Sequence, residues 1–231
     1  VVGNPLEAIA SGPTAPDPTS RGDALDVLSR YDLSHKVPAA ILRVLENAPE
    51  TPKPGGRVFA RVENILVGSN ALAAQAALAQ ARAEGFQTEF LGDTWQGEAR
   101  AVAKTLCDRL NRERLPRPFC LVAGGETTVS LRGAGLGGRN LELALAAASE
   151  LAGLADVLLV TLATDGEDGP TDSAGAVVTG ETLLRAQALG LEASHFLERN
   201  DSYHYFAPLG DLLQPGPSGT NVNDLMFLFG F

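Results

Sequence analysis

Short apolar runs alternate with longer helical patterns from about residue 64 onward, and this alternation constrains the fold more than any other feature. The runs that suit buried strands are residues 64–68, 88–91, 119–123 and 157–163. The stretches with helical spacing are residues 70–84, 97–111 and 140–151, and Asn70 is the expected cap of the first. Strand–helix alternation of this kind is typical of right-handed crossover connections. The sequence therefore predicts an α/β fold with a mainly parallel sheet and flanking helices.

A glycine-rich stretch, residues 122–142, follows the third apolar run. Its strand is expected to end at Gly124 and Gly125, where the backbone can turn tightly. The glycines and arginines that precede the next helix are Arg132, Gly133, Gly135, Gly137, Gly138 and Arg139. Bare amide groups at a helix start attract an anion, and an arginine there can hold two oxygens of a phosphate or carboxylate. A mobile surface turn that carries glycines is the alternative interpretation.

An acidic loop, residues 164–173, follows the strongest apolar run. Its four carboxylates belong to Asp165, Glu167, Asp168 and Asp172. Their mutual repulsion would be costly unless a cation or an arginine lies among them. Hard oxygen ligands suit Mg²⁺, so a magnesium site is one interpretation of this loop. A solvated acidic turn is the other.

Two polar segments near the C-terminus complete the candidate loops. Residues 216–224 concentrate small polar side chains, which form either a tight turn or the second wall of a polar pocket. The candidates for ligand contact in this segment are Thr220, Asn221 and Asn223. Residues 200–206 are expected to begin a helix whose aromatic side chains belong to the core. His204, which lies among them, is expected to be structural rather than a general base.

The chain is expected to have two parts. Residues 1–57 contain two short helical patterns, at 23–31 and 38–47, and end in a stretch rich in proline and glycine. We therefore expect a loop-rich region with a linker over residues 1–57 and the α/β domain over residues 58–231. Two hydroxyl residues of the first region that suit either a plain turn or contact with a phosphate or hydroxy acid are Ser11 and Thr14.

The composition excludes several classes of function. The 231 residues carry a formal net charge of −10 without a cluster of Lys and Arg, so neither nucleic acid nor an anionic membrane is an expected partner. Two cysteines without a CxxC motif indicate a reducing compartment, and we expect a cytoplasmic protein. No apolar run has transmembrane length, and no signal peptide is recognisable. The chain begins at Val1 as if in the middle of a folded unit, so we expect a piece of a longer chain.

Four motifs follow one another along the chain. They are GGETTV-x-L-R-G-x-G-x-GGRN-x-E at 124–142, TDGEDGPTDSAGA at 164–176, NDSY at 200–203 and GPSGTNVNDL at 216–225. Together they resemble the glycerate 2-kinase family, whose C-terminal domain is called MOFRL. The opening VVGNPLEAIASGPT resembles the segment that links the family's N-terminal domain onward. The resemblance covers essentially the whole chain.

The resemblance implies an enzyme that transfers the γ-phosphoryl group of ATP to the 2-hydroxyl of D-glycerate with Mg²⁺, giving 2-phosphoglycerate. It also implies two α/β domains with the active site in the cleft between them. Under this resemblance, residues 1–57 are the tail of the N-terminal domain with a linker, and residues 58–231 are the C-terminal MOFRL-type domain. Some relatives carry the older name hydroxypyruvate reductase. We discount a reductase, because no dinucleotide-binding fingerprint follows the first predicted strand.

The resemblance also implies roles for individual residues, and Arg139, the arginine of the GGRN motif, is the catalytic candidate. The candidates for binding substrate or phosphate are Gly124, Gly125, Glu126, Thr127, Thr128, Gly137, Gly138, Asn140, Ser11, Thr14, Thr220, Asn221 and Asn223. The candidates for binding metal are Asp165, Asp168 and Asp172. A lysine and a phosphate-binding glycine loop of the family's N-terminal domain are not in this sequence. Positions that depart from the usual family residues are Asn4, Leu141, Pro215 and Ser218.

Two other functions stay open at this point. One is a non-catalytic module that binds a nucleotide or a small acid, and the other is a metal-dependent phosphohydrolase that uses the acidic loop. The expected ligands under the kinase hypothesis are ATP, D-glycerate and Mg²⁺. A homodimer is left open.

Overall fold

The computed structural model describes residues 1–113 and 115–231. The chain divides into two compact units, Gly3–Val67 and Gly68–Phe231. This division lies later than the predicted one after residue 57, because the short 3-10 helix Arg57–Arg61 and the residues that follow it group with the first unit. The assignment of the first region to the tail of a preceding domain stays a prediction.

The described residues form eight α-helices and seven strands. The helices are α1 (Arg21–Arg30), α2 (Ala39–Asn47), α3 (Asn70–Ala83), α4 (Ala99–Asn111), α5 (Arg139–Glu150), α6 (Thr182–Ala188), α7 (Ala193–Arg199) and α8 (Ser202–Phe206), with 3-10 helices at Ile9–Ser11, Arg57–Arg61 and Ala207–Leu209. The strands are β1 (Gln87–Phe90), β2 (Trp95–Glu98), β3 (Phe119–Thr128), β4 (Val157–Ala163), β5 (Gly175–Thr179), β6 (Leu212–Leu213) and β7 (Asp224–Gly230). All five helices predicted before residue 152 are confirmed, with small shifts of their ends.

The strands form one mixed sheet in the order β1–β3–β7–β4–β5–β6, and β2 pairs with the second half of β3. Only β1 and β2 pair in parallel with β3, whereas β7 is antiparallel to both β3 and β4. The pairs β4–β5 and β5–β6 are also antiparallel. The α/β class is therefore confirmed, but the prediction of mainly parallel pairing is wrong for the described strands.

The position of β7 explains why the sheet is not mainly parallel, and it also explains where the candidate site lies. This strand comes last along the chain, yet it lies between β3 and β4 with the opposite direction. Because it is antiparallel to both neighbours, β3 and β4 point the same way. Their carboxyl ends consequently meet at one edge of the sheet, beside the first residue of β7.

The strand predicted at residues 64–68 is not formed. Ile65 and Val67 are 71% and 91% exposed, and the described residues provide no strand that pairs with this run. An apolar run becomes a strand only where a neighbour takes up its backbone hydrogen bonds. The composition of the run was therefore a poor guide to its structure here.

Helix α3 begins one residue away from its predicted cap. The Ser69 hydroxyl accepts a hydrogen bond from the backbone N–H of Leu72, at 3.2 Å, and so acts as the N-cap. Asn70, the predicted cap, is instead buried and donates from Nδ2 to the carbonyl oxygens of Val222 and Asp224, at 2.9 and 2.8 Å. This asparagine thereby ties α3 to the beginning of β7.

The core of the second unit lies on both faces of the sheet. On one face α4 and α5 pack against the central strands, with Leu106, Leu143 and Leu228 among the fully buried side chains. On the other face α3 packs against β1 and β3 through a smaller cluster that includes Leu78 and Val122. The sheet and these helices form the scaffold on which the polar loops are placed.

The first unit is less buried than the second. Helix α1 begins with a capping box in which Ser20 and Asp23 exchange hydrogen bonds. Neither α1 nor α2 contains a buried residue. Among the described residues of the whole chain, no helix combines the length and the apolar character needed to cross a membrane.

Candidate functional site

The candidate site lies where the carboxyl ends of β3 and β4 meet the start of β7. The register pairs Asp224, the first residue of β7, with Gly125 of β3 and with Ala163 of β4. Asp224 is only 1% exposed. A carboxylate held at this position by strands on both sides is a fixed point around which the neighbouring loops are arranged.

Arg139, the predicted catalytic residue, is the first residue of α5 and pairs with Asp224. Its Nε and Nη2 donate to the two carboxylate oxygens of Asp224, at 2.5 and 2.9 Å. Hydrogen bonding to Asp224 raises the pKa of the Arg139 guanidinium, so this side chain stays cationic. Burial raises the pKa of Asp224, and the hydrogen bonds from Arg139 partly oppose that rise.

Asp168 caps the start of α5. Its two oxygens accept hydrogen bonds from the backbone N–H groups of Asn140, at 3.1 Å, and Leu141, at 2.8 Å. The expectation of bare amides at this helix start is therefore wrong for these two groups, because a carboxylate of the chain already occupies them. Burial raises the pKa of Asp168 to about 6, although the same amides oppose the rise.

The absence of a side chain at Gly138 makes room for this cap. A Cβ atom there would lie 2.4 Å from the carboxyl carbon of Asp168. The side chain of Asn140 also donates to Asp168, at 3.2 Å, and its hydrogen bonding to Asp224 opposes the rise that burial causes in the pKa of Asp224. Asn140 thus lies between two carboxylates of the chain, and its predicted contact with phosphate stays a prediction.

The glycine-rich loop before α5 packs against the junction of α7 and α8. A Cβ at Gly133 would lie 2.4 Å from the carbonyl oxygen of Arg199, and one at Gly137 would lie 2.3 Å from Oγ of Ser202. Glycine is required at these positions because another segment of the protein approaches the loop closely. The predicted phosphate contact of Gly137 stays a prediction.

Two polar side chains of that junction hold the loop. Asn200 Oδ1 accepts hydrogen bonds from the backbone N–H groups of Arg132 and Gly133, at 2.7 and 3.1 Å. Asp201 Oδ1 accepts one from the N–H of Leu136, at 2.8 Å. The NDSY motif, expected only to begin a helix, therefore fixes the path of the loop.

Gly124 and Gly125 do not end β3, which continues to Thr128. A Cβ at Gly124 would lie 1.7 Å from Oδ1 of Asn70, and one at Gly125 would lie 2.0 Å from the carbonyl oxygen of Trp95. The two glycines let α3 and β2 approach the strand. The predicted strand end was wrong because tight packing and tight turns both select glycine.

The remaining predicted residues of this strand differ in exposure. Thr127 is buried, and Thr128 is exposed and donates to the carbonyl oxygen of Gly97, at 3.3 Å. Glu126 is half-buried, and its charge acts to raise the pKa values of both Arg139 and Asp224. Glu126 therefore shares the electrostatic environment of the predicted catalytic arginine.

The three predicted metal ligands do not come together. Asp165 Oδ2 accepts a hydrogen bond from Nδ2 of Asn221, at 2.7 Å, whereas Asp168 caps α5. Asp172 is exposed, and a hydrogen bond from the Tyr203 hydroxyl, at 2.8 Å, lowers its pKa. In the part of the chain that the structure describes, no group of three or more His, Cys, Asp or Glu residues could hold one metal ion. Each of these carboxylates is engaged by a different element, and their predicted role as metal ligands stays a prediction.

The C-terminal polar segment lies against the acidic loop. Ser218 donates from Oγ to the carbonyl oxygen of Thr164, at 2.6 Å, and the Thr164 hydroxyl donates to the carbonyl oxygen of Asn223, at 2.7 Å. The N–H of Thr220 donates to Ser218, at 3.3 Å. With the bond between Asn221 and Asp165, these contacts make the two loops one polar wall beside the start of β7.

Ser11 and Thr14 belong to the first unit. Thr14 donates from Oγ1 to Oδ1 of Asn64, at 2.5 Å, and Ser11 has a positive φ of 63°. Ser11 also lines a cavity of about 540 Å³ together with Asp17 and Phe59. Their predicted contact with substrate stays a prediction.

The structure also identifies residues that sequence reasoning missed. Asp224 and Asn70 were not proposed for the site, and Asp201 was assigned only to a helix start. The available signal for Asp224 was its position immediately before the apolar run 225–229, since a carboxylate that opens a buried strand needs a partner. No comparable local signal marks Asn70.

Comparisons with known proteins agree with this architecture. The MOFRL family model matches residues 119–224, and the model described as Domain of unknown function (DUF4147) matches residues 1–46. The chain is 38% identical to the glycerate kinase of Macaca fascicularis, covering 99% of this chain and 70% of that protein. It is 40% identical to the D-glycerate 2-kinase of Thermotoga maritima, covering 98% of this chain and 54% of that protein.

A solved structure shows the same fold. The crystal structure of glycerate kinase from Thermotoga maritima matches with a TM-score of 0.89 and 38% sequence identity. The match covers 100% of this chain and 55% of the other. The chain thus spans about half the length of the Thermotoga kinase and 70% of the macaque protein.

Proposed function

Because this chain belongs to the glycerate 2-kinase family, we propose that its protein transfers the γ-phosphoryl group of ATP to the 2-hydroxyl of D-glycerate and forms 2-phosphoglycerate. The 2-hydroxyl oxygen forms the new bond to phosphorus, the bond to the bridging oxygen of ADP breaks, and the hydroxyl proton is released. The observation that carries the proposal is the fixed Arg139 at the carboxyl edge of the sheet. Membership of the family supports the proposed kinase activity, and the geometry of Arg139 supports the proposed location of the active site.

Arg139 would stabilise the phosphoryl group that is transferred or orient the carboxylate of glycerate. Phosphoryl transfer depends on positioning and on neutralising charge rather than on covalent chemistry by the protein. The two hydrogen bonds to Asp224 come from Nε and Nη2 of Arg139. Within the described residues, Nη1 of Arg139 donates to no protein acceptor. This edge of the guanidinium is available to an anionic oxygen.

Magnesium would accompany ATP, and when bound it would neutralise charge on the phosphate oxygens. Mg²⁺ usually takes one or two protein carboxylates together with phosphate and water oxygens. Asp165 fits this role best, because its carboxylate keeps lone pairs beyond the bond from Asn221. The cap formed by Asp168 and the exposed pair of Asp172 and Tyr203 do not favour those carboxylates as ligands.

The proposal has further parts. We place the active site in a cleft between two domains and the protein in the cytoplasm, and we leave a homodimer open. Glu126, Thr127, Asn221 and Asn223 are proposed to line the pocket and to orient the substrate hydroxyls. Of these, Glu126 has the strongest support, because its charge acts on Arg139.

The test is a Mg-ATP assay with D-glycerate on the protein isolated at its natural length, after its intact mass has been measured. We expect 2-phosphoglycerate, with the phosphate position identified by NMR, and the Thermotoga kinase serves as the positive control. Binding of ATP or glycerate without transfer would instead select the binding-module hypothesis. Phosphate release without glycerate would select a phosphohydrolase.

A further inference from the structure

We propose that Asp224 is a positioning residue that sets the direction of the Arg139 guanidinium for the transferring phosphoryl group or the substrate carboxylate. This inference rests on the proposed function, and it assigns a role to a residue that does not itself touch the substrate. Its basis is that the backbones of both residues are fixed independently and that their side chains then meet through two hydrogen bonds.

Asp224 is fixed by its place in the sheet. Its backbone lies between β3 and β4, paired with Gly125 on one side and with Ala163 on the other. Nδ2 of Asn70 donates to its carbonyl oxygen, at 2.8 Å. Its side chain is 2% exposed, so the carboxylate cannot turn away toward water. Asp224 is therefore a rigid base for any group that it binds.

Arg139 is fixed by the start of α5. The next two backbone N–H groups, those of Asn140 and Leu141, donate to Asp168, which holds the first turn of the helix in place. The planar guanidinium then meets Asp224 through two neighbouring N–H groups. Two parallel bonds define both the position and the plane of a guanidinium, which one bond does not.

The same bonds make Arg139 the charge partner of Asp224. Both oxygens of this buried carboxylate accept from the guanidinium. Loss of the pair would leave a charge buried without its partner, which is costly. The side of Arg139 turned away from Asp224 is the one left for an anion, and Asp224 determines where that side points.

The test compares substitutions that separate position from charge. Asp224→Asn removes the charge, and Asp224→Glu keeps the charge but moves the carboxylate. We expect both to lower kcat by about 100-fold, because displacement of a catalytic group by about 1 Å has an effect of that size. Asp211→Asn is the matched control, since Asp211 also binds an arginine, Arg185, through both of its oxygens at 3.0 Å. It should leave kcat unchanged.

A second readout does not depend on activity. In the wild type the Nε–H proton of Arg139 is hydrogen-bonded and should exchange slowly with water in ¹⁵N NMR spectra. Arg139→Lys identifies this signal by its disappearance. In Asp224→Asn the signal should exchange much faster, whereas the signal of Arg185 should not change.

The outcomes are distinct. Wild-type kcat in Asp224→Glu would show that charge alone matters, and an equally protected Nε–H in Asp224→Asn would show that Asp224 does not fix Arg139. Either result overturns the inference. If Asp224→Asn does not fold, Asp224→Glu carries both readouts, because it keeps the charge but moves the carboxylate that binds Arg139. A wild type that transfers no phosphoryl group overturns the proposed function, while the NMR comparison still decides whether Asp224 fixes Arg139.

Discussion

Two buried carboxylates, Asp168 and Asp224, lie beside the start of α5, where the sequence predicts a site for an anionic ligand. One accepts the helix amides and the other accepts the guanidinium of Arg139. Their charges therefore compete with any bound phosphate for the same donors. At the scale of single residues, binding of an anionic ligand therefore depends on how strongly these two carboxylates hold the helix amides and the guanidinium.

Asp168 should make the stability of the protein depend on pH. Its pKa is about 6 in the folded state and about 3.8 when solvated, so the folded state holds a proton that the unfolded state has lost between these values. Stability from this group is therefore present at low pH and is lost as pH rises from about 4 to about 6. A difference of about two pKa units corresponds to about 3 kcal/mol.

The measurement is urea unfolding of the wild type and of Asp168→Asn at pH 4, 5, 6 and 7. We expect the stability of the wild type relative to the variant to fall over this range. A constant difference between the two proteins would contradict the expected titration of Asp168. Using the difference removes the contributions of all other titrating groups that the substitution does not affect.

Asp165 should influence the requirement for magnesium. Asp165→Asn removes a charged oxygen ligand, so about 10-fold more Mg²⁺ should be needed for half-maximal activity. Glu167→Gln is the matched control, because it removes an exposed charge from the same loop. If the two variants have the same magnesium titration, Asp165 has no specific role toward the cation.

At the scale of elements, the glycine-rich loop is held by the junction of α7 and α8 rather than by its own sequence. Asn200 accepts two backbone bonds of the loop and donates to Glu142 of α5, at 3.2 Å. Glu142 in turn accepts from Arg100 of α4. The glycine-rich loop, the helices α4 and α5 and the junction of α7 and α8 thus share one polar network. A substitution in any of them should therefore alter the hydrogen bonding of the loop.

Asn200→Gly tests this network. Asn200 has a φ of 53°, and glycine adopts that backbone conformation without strain. Any loss of stability in the variant therefore reports on the missing side chain. We expect a destabilisation of about 1–3 kcal/mol in urea unfolding, because two partly buried amides lose their acceptor and the buried Glu142 loses a donor. The amides of Arg132 and Gly133 should also exchange faster with solvent.

The control for this prediction is Asn47→Gly at the exposed end of α2. The side chain of Asn47 makes a local bond to the carbonyl oxygen of Arg43, at 2.9 Å. Its loss should cost less than that of Asn200 and should not alter exchange in the loop. Equal effects of the two substitutions would contradict a special role for Asn200.

At the scale of the whole molecule, the two units should differ in local stability. The helices α1 and α2 of the first unit contain no buried residue, whereas β3 and α5 of the second are almost entirely buried. Amides in regions with few buried contacts exchange through local opening. We therefore expect faster exchange in α1 and α2 than in β3 and α5, measured by hydrogen exchange with mass spectrometry. Equal protection in both units would contradict this expectation.

The sequence predicts the long periodic elements well and the packing between them poorly. Helices α3 and α5 and strand β4 follow from local patterns, because periodicity and capping act over a few residues. The strand expected at 64–68 failed because pairing is decided by distant segments. The glycines at 124 and 125 were misinterpreted for the same reason, since their partners lie on α3 and β2.

The candidate site shows the same limit. Arg139 and the loops around it were found because their motifs are local. The pairing of Arg139 with Asp224 joins residues 85 positions apart, and the cap on α5 comes from a loop 27 or 28 positions away. A local pattern contains no information about which carboxylate will approach which donor.

The central place of β7 has a consequence for how the protein is made. The two strands beside β7 are synthesised long before it, yet among the described strands of the finished sheet they are joined only through this later segment. During translation β3 and β4 consequently present open, apolar edges until the seventh strand emerges and inserts. Such long-range pairing slows folding and leaves unpaired edges open to association with other chains. Premature termination ahead of residue 224 would remove the middle of the sheet rather than its edge. The truncated chain would then be bound by chaperones or degraded by proteases.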